Sequence, residues 1–157
     1  TGALALNEAV YCQIEKLTQL ADIIHITGKG KGQAIKQKGY FSAEFLNHQQ
    51  IITAYKLADI VVARAGLGTM IELAALAKPS ILVPLPNSHQ LDNARVVAQA
   101  RAAIILQEED LLNGGLTKTI EALLVDNHKR NDLSHNWSQV IKVAQEAEIL
   151  KIFGKYL

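Results

Sequence analysis

The amino-acid sequence predicts an α/β fold with a Rossmann-like parallel sheet and helices on both faces of that sheet. Short apolar runs alternate along the chain with stretches whose apolar residues recur at helical spacing. Hydrophobic residues make up 49% of the chain and aromatic residues only 5%, so aliphatic side chains must form the core, as in parallel sheets buried on both faces. The length of 157 residues predicts a single domain, 1–157.

Composition narrows the classes of function. A net charge of +1 provides no basic excess for binding nucleic acid. The single cysteine, Cys12, excludes an intrachain disulfide framework and a cysteine-based zinc site, and it fits a reducing cytoplasm. No apolar run reaches the roughly 18 to 20 residues that span a bilayer, and no signal peptide is visible, so only peripheral membrane contact stays open.

The first half of the chain predicts two helices and three strands. In chain order they are a helix at 3–20, strands at 22–27 and 40–46, a helix at 48–58 and a strand at 59–63. The intervening GKGKGQ predicts a turn, and the six residues after it predict a short helix or loop. Because the chain enters a helix with no strand before it, we expect a fragment, or a domain that lacks ordered residues upstream.

The second half continues the alternation. It predicts a helix at 69–77, a strand at 80–84, a helix at 91–101, a strand at 102–106, a helix at 116–126 and a more polar helical tail at 128–157. Right-handed crossovers then give a parallel sheet, and ligands bind beyond the carboxyl ends of such strands. The candidate loops are therefore 28–32, 45–48, 64–69 and 86–93.

The turn RAGLGT, residues 64–69, follows a strand and opens a helix. A helix N-terminus has unpaired N–H groups and a partial positive charge, so it can hold a phosphate or diphosphate. Gly66 and Gly68 would let a ligand approach the backbone. The spacing is neither G-x-G-x-x-G nor a Walker loop, so a plain strand-to-helix turn is the alternative.

Glu72 lies one helical turn beyond this loop and has two interpretations. Thr69 and Glu72 have the spacing of a capping box, in which Glu72 accepts from the Thr69 backbone N–H. Alternatively, the Glu72 carboxylate binds a pair of sugar hydroxyls, as acids bind ribose in nucleotide-binding folds.

Other polar loops also carry candidates. GKGKGQ is either a phosphate cradle or a solvated loop. His25, inside a predicted strand, is best explained as a core or rim histidine with its hydrogen bonds satisfied. His89, Gln90 and Asn93 stand at a loop-to-helix junction, where an imidazole and two amides suit recognition of hydroxyls; helix capping with exposed polar residues is the alternative.

The sequence predicts no catalytic residue of its own. It has no recognisable Ser/His/Asp order and no facing pair of carboxylates. No ligand spacing joins His48 to His89, so we predict no metal, and no other cofactor.

The stretch ADIVVARAG…T..ELAALAKPSILVPLP….HQ..NA, residues 58–94, closely resembles the C-terminal donor-binding domain of the MurG family within glycosyltransferase family 28. The segments IIHITGKG and EFL match that domain in order and spacing, over about residues 1 to 125. Gly2 falls at the end of the family's glycine-rich loop. The resemblance implies the C-terminal half of a GT-B glycosyltransferase, in which two Rossmann-like domains close on a cleft.

The resemblance also implies roles for individual residues. Phe45 and Leu46 would contact uracil, and Glu72 would bind the ribose hydroxyls. His89 and Gln90 would read the sugar hydroxyls. The backbone N–H groups of Leu67 to Thr69 would bind the diphosphate. The donor-site residues implied at this turn are Gly66, Leu67, Gly68, Thr69, Met70 and Ile71. Asn93 would support the 86–93 loop.

The implied reaction is inverting transfer of N-acetylglucosamine from UDP-N-acetylglucosamine to lipid I, which makes lipid II for peptidoglycan. The acceptor site and the base would belong to an N-terminal domain absent from this chain. The intact hexosyltransferase would be cytoplasmic and peripheral on the inner face of the bacterial plasma membrane, with a role in cell-wall growth and cell division. We expect the chain alone to bind the donor weakly and to transfer nothing.

Three alternatives remain open. One is the donor-binding subunit of a split UDP-N-acetylglucosamine transferase, like that of dolichol-linked oligosaccharide synthesis. A second is a non-catalytic nucleotide-binding module, which would bind mononucleotides without preferring a sugar. A third is a sugar-nucleotide epimerase of similar architecture, which needs catalytic acids and a histidine at the cleft.

Overall fold

The structure, a computed structural model, describes residues 4–141. Its helices are α1 Leu4–Leu20, α2 His48–Leu57, α3 Leu67–Ala75, α4 Gln90–Gln99, α5 Leu116–Val125 and α6 Asn127–Val140. Its strands are β1 Ile23–Ile26, β2 Tyr40–Ala43, β3 Val61–Ala63, β4 Ser80–Leu82 and β5 Ile104–Ile105. A 3₁₀ turn, Glu108–Asp110, and a π turn, Leu111–Gly115, join β5 to α5. No helix in the described part of the chain is long and apolar enough to cross a membrane.

The order of helices and strands is as predicted, and every strand pair is parallel. The strands form two hydrogen-bonded groups: β1 pairs with β2, and β4 lies between β3 and β5. The strands are also shorter than predicted, with β4 ending at Leu82 instead of Pro84. Proline has no N–H to donate to a ladder, so the strand cannot continue through Pro84.

Helices cover both faces of the three-stranded group. Along β4 and the next residue, Leu82 faces one apolar cluster, whereas Ile81 and Val83 face the other, as the two-residue period of a strand requires. All three side chains are fully buried. The first cluster draws on α3, α4 and α6, and the second on α1, α5 and α6. The predicted α/β architecture is confirmed.

A buried polar network fastens α1 to the two-stranded group. His25 Nε2 lies 3.0 Å from Asn7 Oδ1, and His25 Nδ1 lies 2.9 Å from the Tyr40 hydroxyl. The Asn7 Nδ2 group donates to the Thr27 carbonyl, which leaves Asn7 Oδ1 as the acceptor for His25. His25 Nε2 therefore carries the proton, Nδ1 accepts from Tyr40, and burial lowers the pKa of His25. The prediction of a satisfied core histidine is confirmed.

Helix α6 is fastened to the turn between α3 and β4. Trp137 is fully buried, and its Nε1 donates to the Lys78 carbonyl at 2.8 Å. The Lys78 ammonium in turn donates to the Ala58 carbonyl at 2.8 Å, beyond the end of α2. The rest of the predicted helical tail, 142–157, lies outside the described residues.

Candidate functional site

The start of α3 is open. The helix begins at Leu67, two residues earlier than predicted, with Gly66 as N-cap in an extended conformation (φ −75°, ψ 142°). The first N–H groups of any helix have no acceptor within the helix, and no side chain between residues 4 and 141 caps them here. Thr69 is the third residue of the helix, so the predicted capping box of Thr69 and Glu72 is wrong.

Space surrounds this helix start. A Cβ placed on Gly66 or Gly68 would meet no heavy atom of the described residues within 4 Å. The side chains of Leu67 and Ile71 are 60% and 46% exposed. Met70 was also predicted to bind the donor, but it is buried in the core and only 3% exposed. Its N–H already donates to the Gly66 carbonyl, so it is not available to a ligand. The groups available to a ligand are therefore the N–H groups of the first three residues, Leu67, Gly68 and Thr69.

Glu72 is the sixth residue of α3, about one turn beyond the turn 64–69, and it is partly buried. The hydroxyl of Tyr55 on α2 lies beside its carboxylate. Burial, followed by the charge and the hydrogen bond of Glu72, raises the pKa of Tyr55 to about 12. The carboxylate thus faces a neighbouring helix, and a carboxylate has enough lone pairs to accept from both Tyr55 and a ligand. Tyr55 lies 17 positions before Glu72, and nothing in the local pattern indicates this pair.

The loop that joins β4 to α4 is held by its own side chains. Gln90 Oε1 accepts from the Leu85 N–H at 3.0 Å, which leaves the Gln90 NH₂ group as the donor for other partners. Ser88 Oγ donates to the Leu85 carbonyl and accepts from the Gln90 N–H. His89 is exposed and is the N-cap residue of α4, without a side-chain cap.

Asn93 brings α4 to the turn before α3. Its Nδ2 donates to the Ala65 carbonyl at 2.9 Å, next to the N-cap Gly66. The amide oxygen of Asn93 is then the end left for a further partner. Two of the predicted loops, 64–69 and 86–93, are therefore in contact, as the sequence predicted for the carboxyl ends of neighbouring strands.

The predicted base-contacting residues stand on the other strand group. Phe45 is 73% exposed. Leu46 lines a shallow groove of about 290 Å³, whose other lining residues include Ile24 of β1 and Leu57 of α2. Immediately after Leu46, Asn47 and Gln50 form a full capping box at the start of α2.

The sequence analysis predicted no role for Arg64, which directly follows β3 and reaches the ends of β4 and β5. Its guanidinium donates to the carbonyls of Val83 and Pro84, each at 3.3 Å, and its Nη2 lies 2.5 Å from Glu108 Oε2. Glu108 also lines a cavity of about 500 Å³ between the start of α1 and the loops after β4 and β5. Among the described residues, none of the predicted donor-site residues lines that cavity.

The glycine-rich turn at 28–33 and Gly2 were also predicted from the sequence. The turn at 28–33 contains Gly28 and Gly30 at positive φ, and the Tyr11 hydroxyl donates to the Lys31 carbonyl within it. Gly2 lies outside the described residues. Between residues 4 and 141, no group of three or more His, Cys, Asp or Glu side chains is placed to hold a metal ion.

Taken chemically, the arrangement suits an anion with attached hydroxyls. The open N-terminus of α3 provides N–H donors and the positive end of a helix dipole, which together favour a phosphate or diphosphate. A fixed carboxylate, an amide donor and an amide acceptor lie on the adjoining elements α3 and α4.

Two bacterial transferases are similar to this chain in sequence. A UDP-N-acetylglucosamine–N-acetylmuramyl-(pentapeptide) pyrophosphoryl-undecaprenol N-acetylglucosamine transferase of Geobacillus kaustophilus is 38% identical over 138 residues, covering 83% of this chain and 38% of the relative. The protein of the same name from Bifidobacterium longum is 32% identical over 169 aligned residues, covering 92% of this chain and 42% of the relative. The chain thus spans about two fifths of the length of these relatives.

Solved structures share the fold. The crystal structure of Acinetobacter baumannii MurG superposes with a TM-score of 0.76 at 23% identity, covering 98% of this chain and 47% of that one. The Streptomyces glycosyltransferase SsfS6 superposes with a TM-score of 0.66 at 16% identity, covering 97% of this chain and 38% of that one. The model of the glycosyltransferase family 28 C-terminal domain matches residues 1–150. The chain belongs to glycosyltransferase family 28, as a C-terminal domain of that family.

Proposed function

We propose that this chain is the donor-binding domain of a transferase that uses UDP-N-acetylglucosamine. The observation that carries the proposal is the uncapped start of α3, with open space at Gly66 and Gly68 and a partly buried carboxylate, Glu72, on the same helix. A nucleoside diphosphate needs both an anion site and a partner for its ribose hydroxyls. The named relatives, whose donor is UDP-N-acetylglucosamine, support the choice of ligand.

We assign each part of the donor to one region of the chain. The diphosphate binds the N–H groups of Leu67, Gly68 and Thr69, and the ribose hydroxyls bind Glu72 beside the Tyr55 hydroxyl. The sugar takes its polar contacts from the loop that contains His89 and Gln90 and from the Asn93 amide oxygen. Gly2 and Ile71 complete the diphosphate end, and Phe45 and Leu46 the uracil end, as the family resemblance implies.

The reaction proposed for the intact protein is inverting glycosyl transfer to the acceptor in the relatives' names, N-acetylmuramyl-(pentapeptide) pyrophosphoryl-undecaprenol. An acceptor hydroxyl oxygen bonds to the anomeric carbon, the bond from that carbon to the diphosphate oxygen breaks, and UDP leaves. The hydroxyl proton passes to a base, which the resemblance assigns to the N-terminal domain. This chain stabilises the charge that develops on the leaving diphosphate. Because the acceptor is lipid-linked, the intact protein works as a peripheral protein at the inner face of the membrane.

Calorimetric titration with UDP-N-acetylglucosamine, UDP and UMP tests the proposal. We expect UDP and the UDP-sugar to bind more tightly than UMP, because the second phosphate reaches the start of α3. Glu72→Gln keeps an acceptor for the Tyr55 hydroxyl but removes the charge, and should weaken UDP binding roughly tenfold, or about 1.4 kcal/mol. The loss should be smaller for 2′-deoxy-UDP, which lacks one of the hydroxyls that Glu72 binds.

A matched control is Glu121→Gln, an exposed glutamate on α5, which should bind all ligands like the wild type. Equal affinity of the wild type for UMP and UDP would favour a nucleotide-binding module without a diphosphate site. Equal loss for UDP and 2′-deoxy-UDP in Glu72→Gln would remove Glu72 from the ribose. Failure of the wild type to bind any of these ligands would contradict the donor-site proposal for this chain.

A further inference from the structure

Glu108 occupies a position that the proposed donor site does not use. It begins the 3₁₀ turn after β5, and its side chain is 29% exposed. Its Oε2 atom is buried, and no hydrogen-bond donor in the described residues is aligned with that atom. The Arg64 guanidinium, 2.5 Å away, is the charge that offsets its burial.

Arg64 links three consecutive strand ends. It follows β3 directly and is 13% exposed at its side chain. Its Nη1 donates to two carbonyls at the end of β4, and its Nη2 pairs with Glu108 after β5. A planar guanidinium that bonds in several directions at once has little freedom to turn. Its backbone is therefore held close to the ends of β4 and β5.

The turn that Arg64 holds is the turn that opens α3. Only Ala65 separates Arg64 from the N-cap Gly66, and Asn93 already fixes the Ala65 carbonyl from the other side. The orientation of the N–H groups that face a diphosphate thus depends on two tethers, of which Arg64 is one.

We propose that Glu108 is a positioning residue for diphosphate binding, which acts by holding Arg64 and through it the turn 64–66. The inference rests on the proposed function, because it takes the start of α3 as the diphosphate site. Glu108 itself touches no ligand. Without the Glu108 carboxylate, Arg64 loses the ion pair at its Nη2, so the turn is held less firmly to the end of β5.

The sign of the effect separates positioning from simple electrostatics. Glu108→Gln removes a negative charge near a proposed anion site, which by Coulomb attraction alone would tighten UDP binding. Positioning requires the opposite: weaker UDP binding. Glu109→Gln is the matched control, because it removes the same charge from the exposed neighbouring residue, away from Arg64.

The experiment measures UDP and UMP affinities of the whole chain for the wild type and both variants. We expect Glu108→Gln to weaken UDP binding roughly five- to tenfold and UMP binding less than about twofold, with Glu109→Gln unchanged or slightly tighter. Backbone amide shifts of Gly66, Leu67 and Gly68 in the ligand-free protein should move in Glu108→Gln and stay fixed in Glu109→Gln. If Glu108→Gln does not fold, Glu108→Asp keeps the charge but shortens the reach to Arg64.

Two failures are distinguishable. If the wild type binds UDP but Glu108→Gln matches Glu109→Gln in affinity and amide shifts, the positioning role is wrong and the proposed function stands. If the wild type binds no nucleotide, the proposed function fails and takes this inference with it. An equal loss of UDP and UMP affinity in Glu108→Gln also contradicts the inference, since general destabilisation would produce it.

Discussion

Helices α2 and α3 begin in the same setting and in opposite ways. Each follows a parallel strand across a short loop, at the carboxyl end of that strand. At the start of α2, Asn47 Oδ1 accepts from the Gln50 N–H at 3.0 Å, and Gln50 Oε1 accepts from the Asn47 N–H at 2.9 Å. At the start of α3, the N-cap is Gly66, and none of the side chains that the structure describes bonds to the free backbone N–H groups.

The difference shows which helix start is free for a ligand. A capping box satisfies donors that would otherwise bind water or an anion, so α2 is closed by its own sequence. A glycine N-cap costs a helix only a few tenths of a kcal/mol relative to a good capping residue, and it leaves the same donors free. The uncapped start of α3 thus makes the helix slightly less stable, and in return its backbone N–H groups are free to bind an anion.

The largest effect should come from closing α3. Gly66→Asp places a carboxylate where it can accept from the N–H groups of Gly68 or Thr69, and its Cβ meets no atom of residues 4–141 within 4 Å. We expect the free energy of unfolding to rise by a few tenths of a kcal/mol. UDP affinity should fall roughly 100-fold, or about 2.7 kcal/mol, because the carboxylate occupies the donors and repels the diphosphate. Urea denaturation and calorimetry measure the two quantities.

Gly66→Asn separates occupation of the N–H groups from repulsion of the diphosphate as causes of the lower UDP affinity. Asparagine caps a helix about as well as aspartate but carries no charge. It should lower UDP affinity less than aspartate does while giving a similar gain in stability. Unchanged UDP affinity in both variants would place the diphosphate somewhere other than the start of α3.

The second prediction opens α2. Asn47→Ala removes one side of its capping box and should lower the free energy of unfolding by about 1 kcal/mol. Asn47→Ser should recover most of that loss, because serine also caps. The preference for UDP over UMP should not change, since the start of α2 is not the proposed diphosphate site. Urea denaturation and calorimetry provide the measurements, and a change in that preference would mean that both helix starts contribute to the diphosphate site.

The sequence predicted the alternation of helices and strands because that signal is local. Apolar runs and helical spacing are properties of ten or so adjacent residues, and both survive in the structure. The starts of the helices were harder to predict. Thr69 and Glu72 have the residue types of a capping box, whereas Leu67 and Gly68 are weak start signals, so α3 was predicted to begin two residues late. The grouping of the strands into two and three depends on long-range pairing and had no local signal.

Some features of the candidate site also had a local sequence signal, and others did not. The open turn and the carboxylate one turn further on were visible as a local pattern, and the family resemblance raised their significance. The long-range contacts that position these groups had no signal in the sequence. Glu72 lies beside Tyr55 and Ala65 is held by Asn93, each pair joined across 17 or more positions, and Arg64 meets Glu108 across three strand ends. Such partners are defined only when the chain has folded.

The last and smallest prediction concerns the contact between the two compared helices, Tyr55 of α2 and Glu72 of α3. Tyr55→Phe should cost about 0.5 kcal/mol at pH 8, because a partly exposed carboxylate can turn to water when the hydroxyl is removed. The pKa of Tyr55 is raised to about 12 in the folded chain, against about 10 when unfolded, so the folded state holds the proton more tightly. Burial is the largest cause of this rise and the Glu72 carboxylate the second, so the stability that depends on a neutral Tyr55 is complete below about pH 10 and is lost as the pH rises toward 12. Urea denaturation at pH 9 and pH 11 should show a larger loss of unfolding free energy in the wild type than in Tyr55→Phe; equal losses would mean that folding does not raise the pKa of Tyr55.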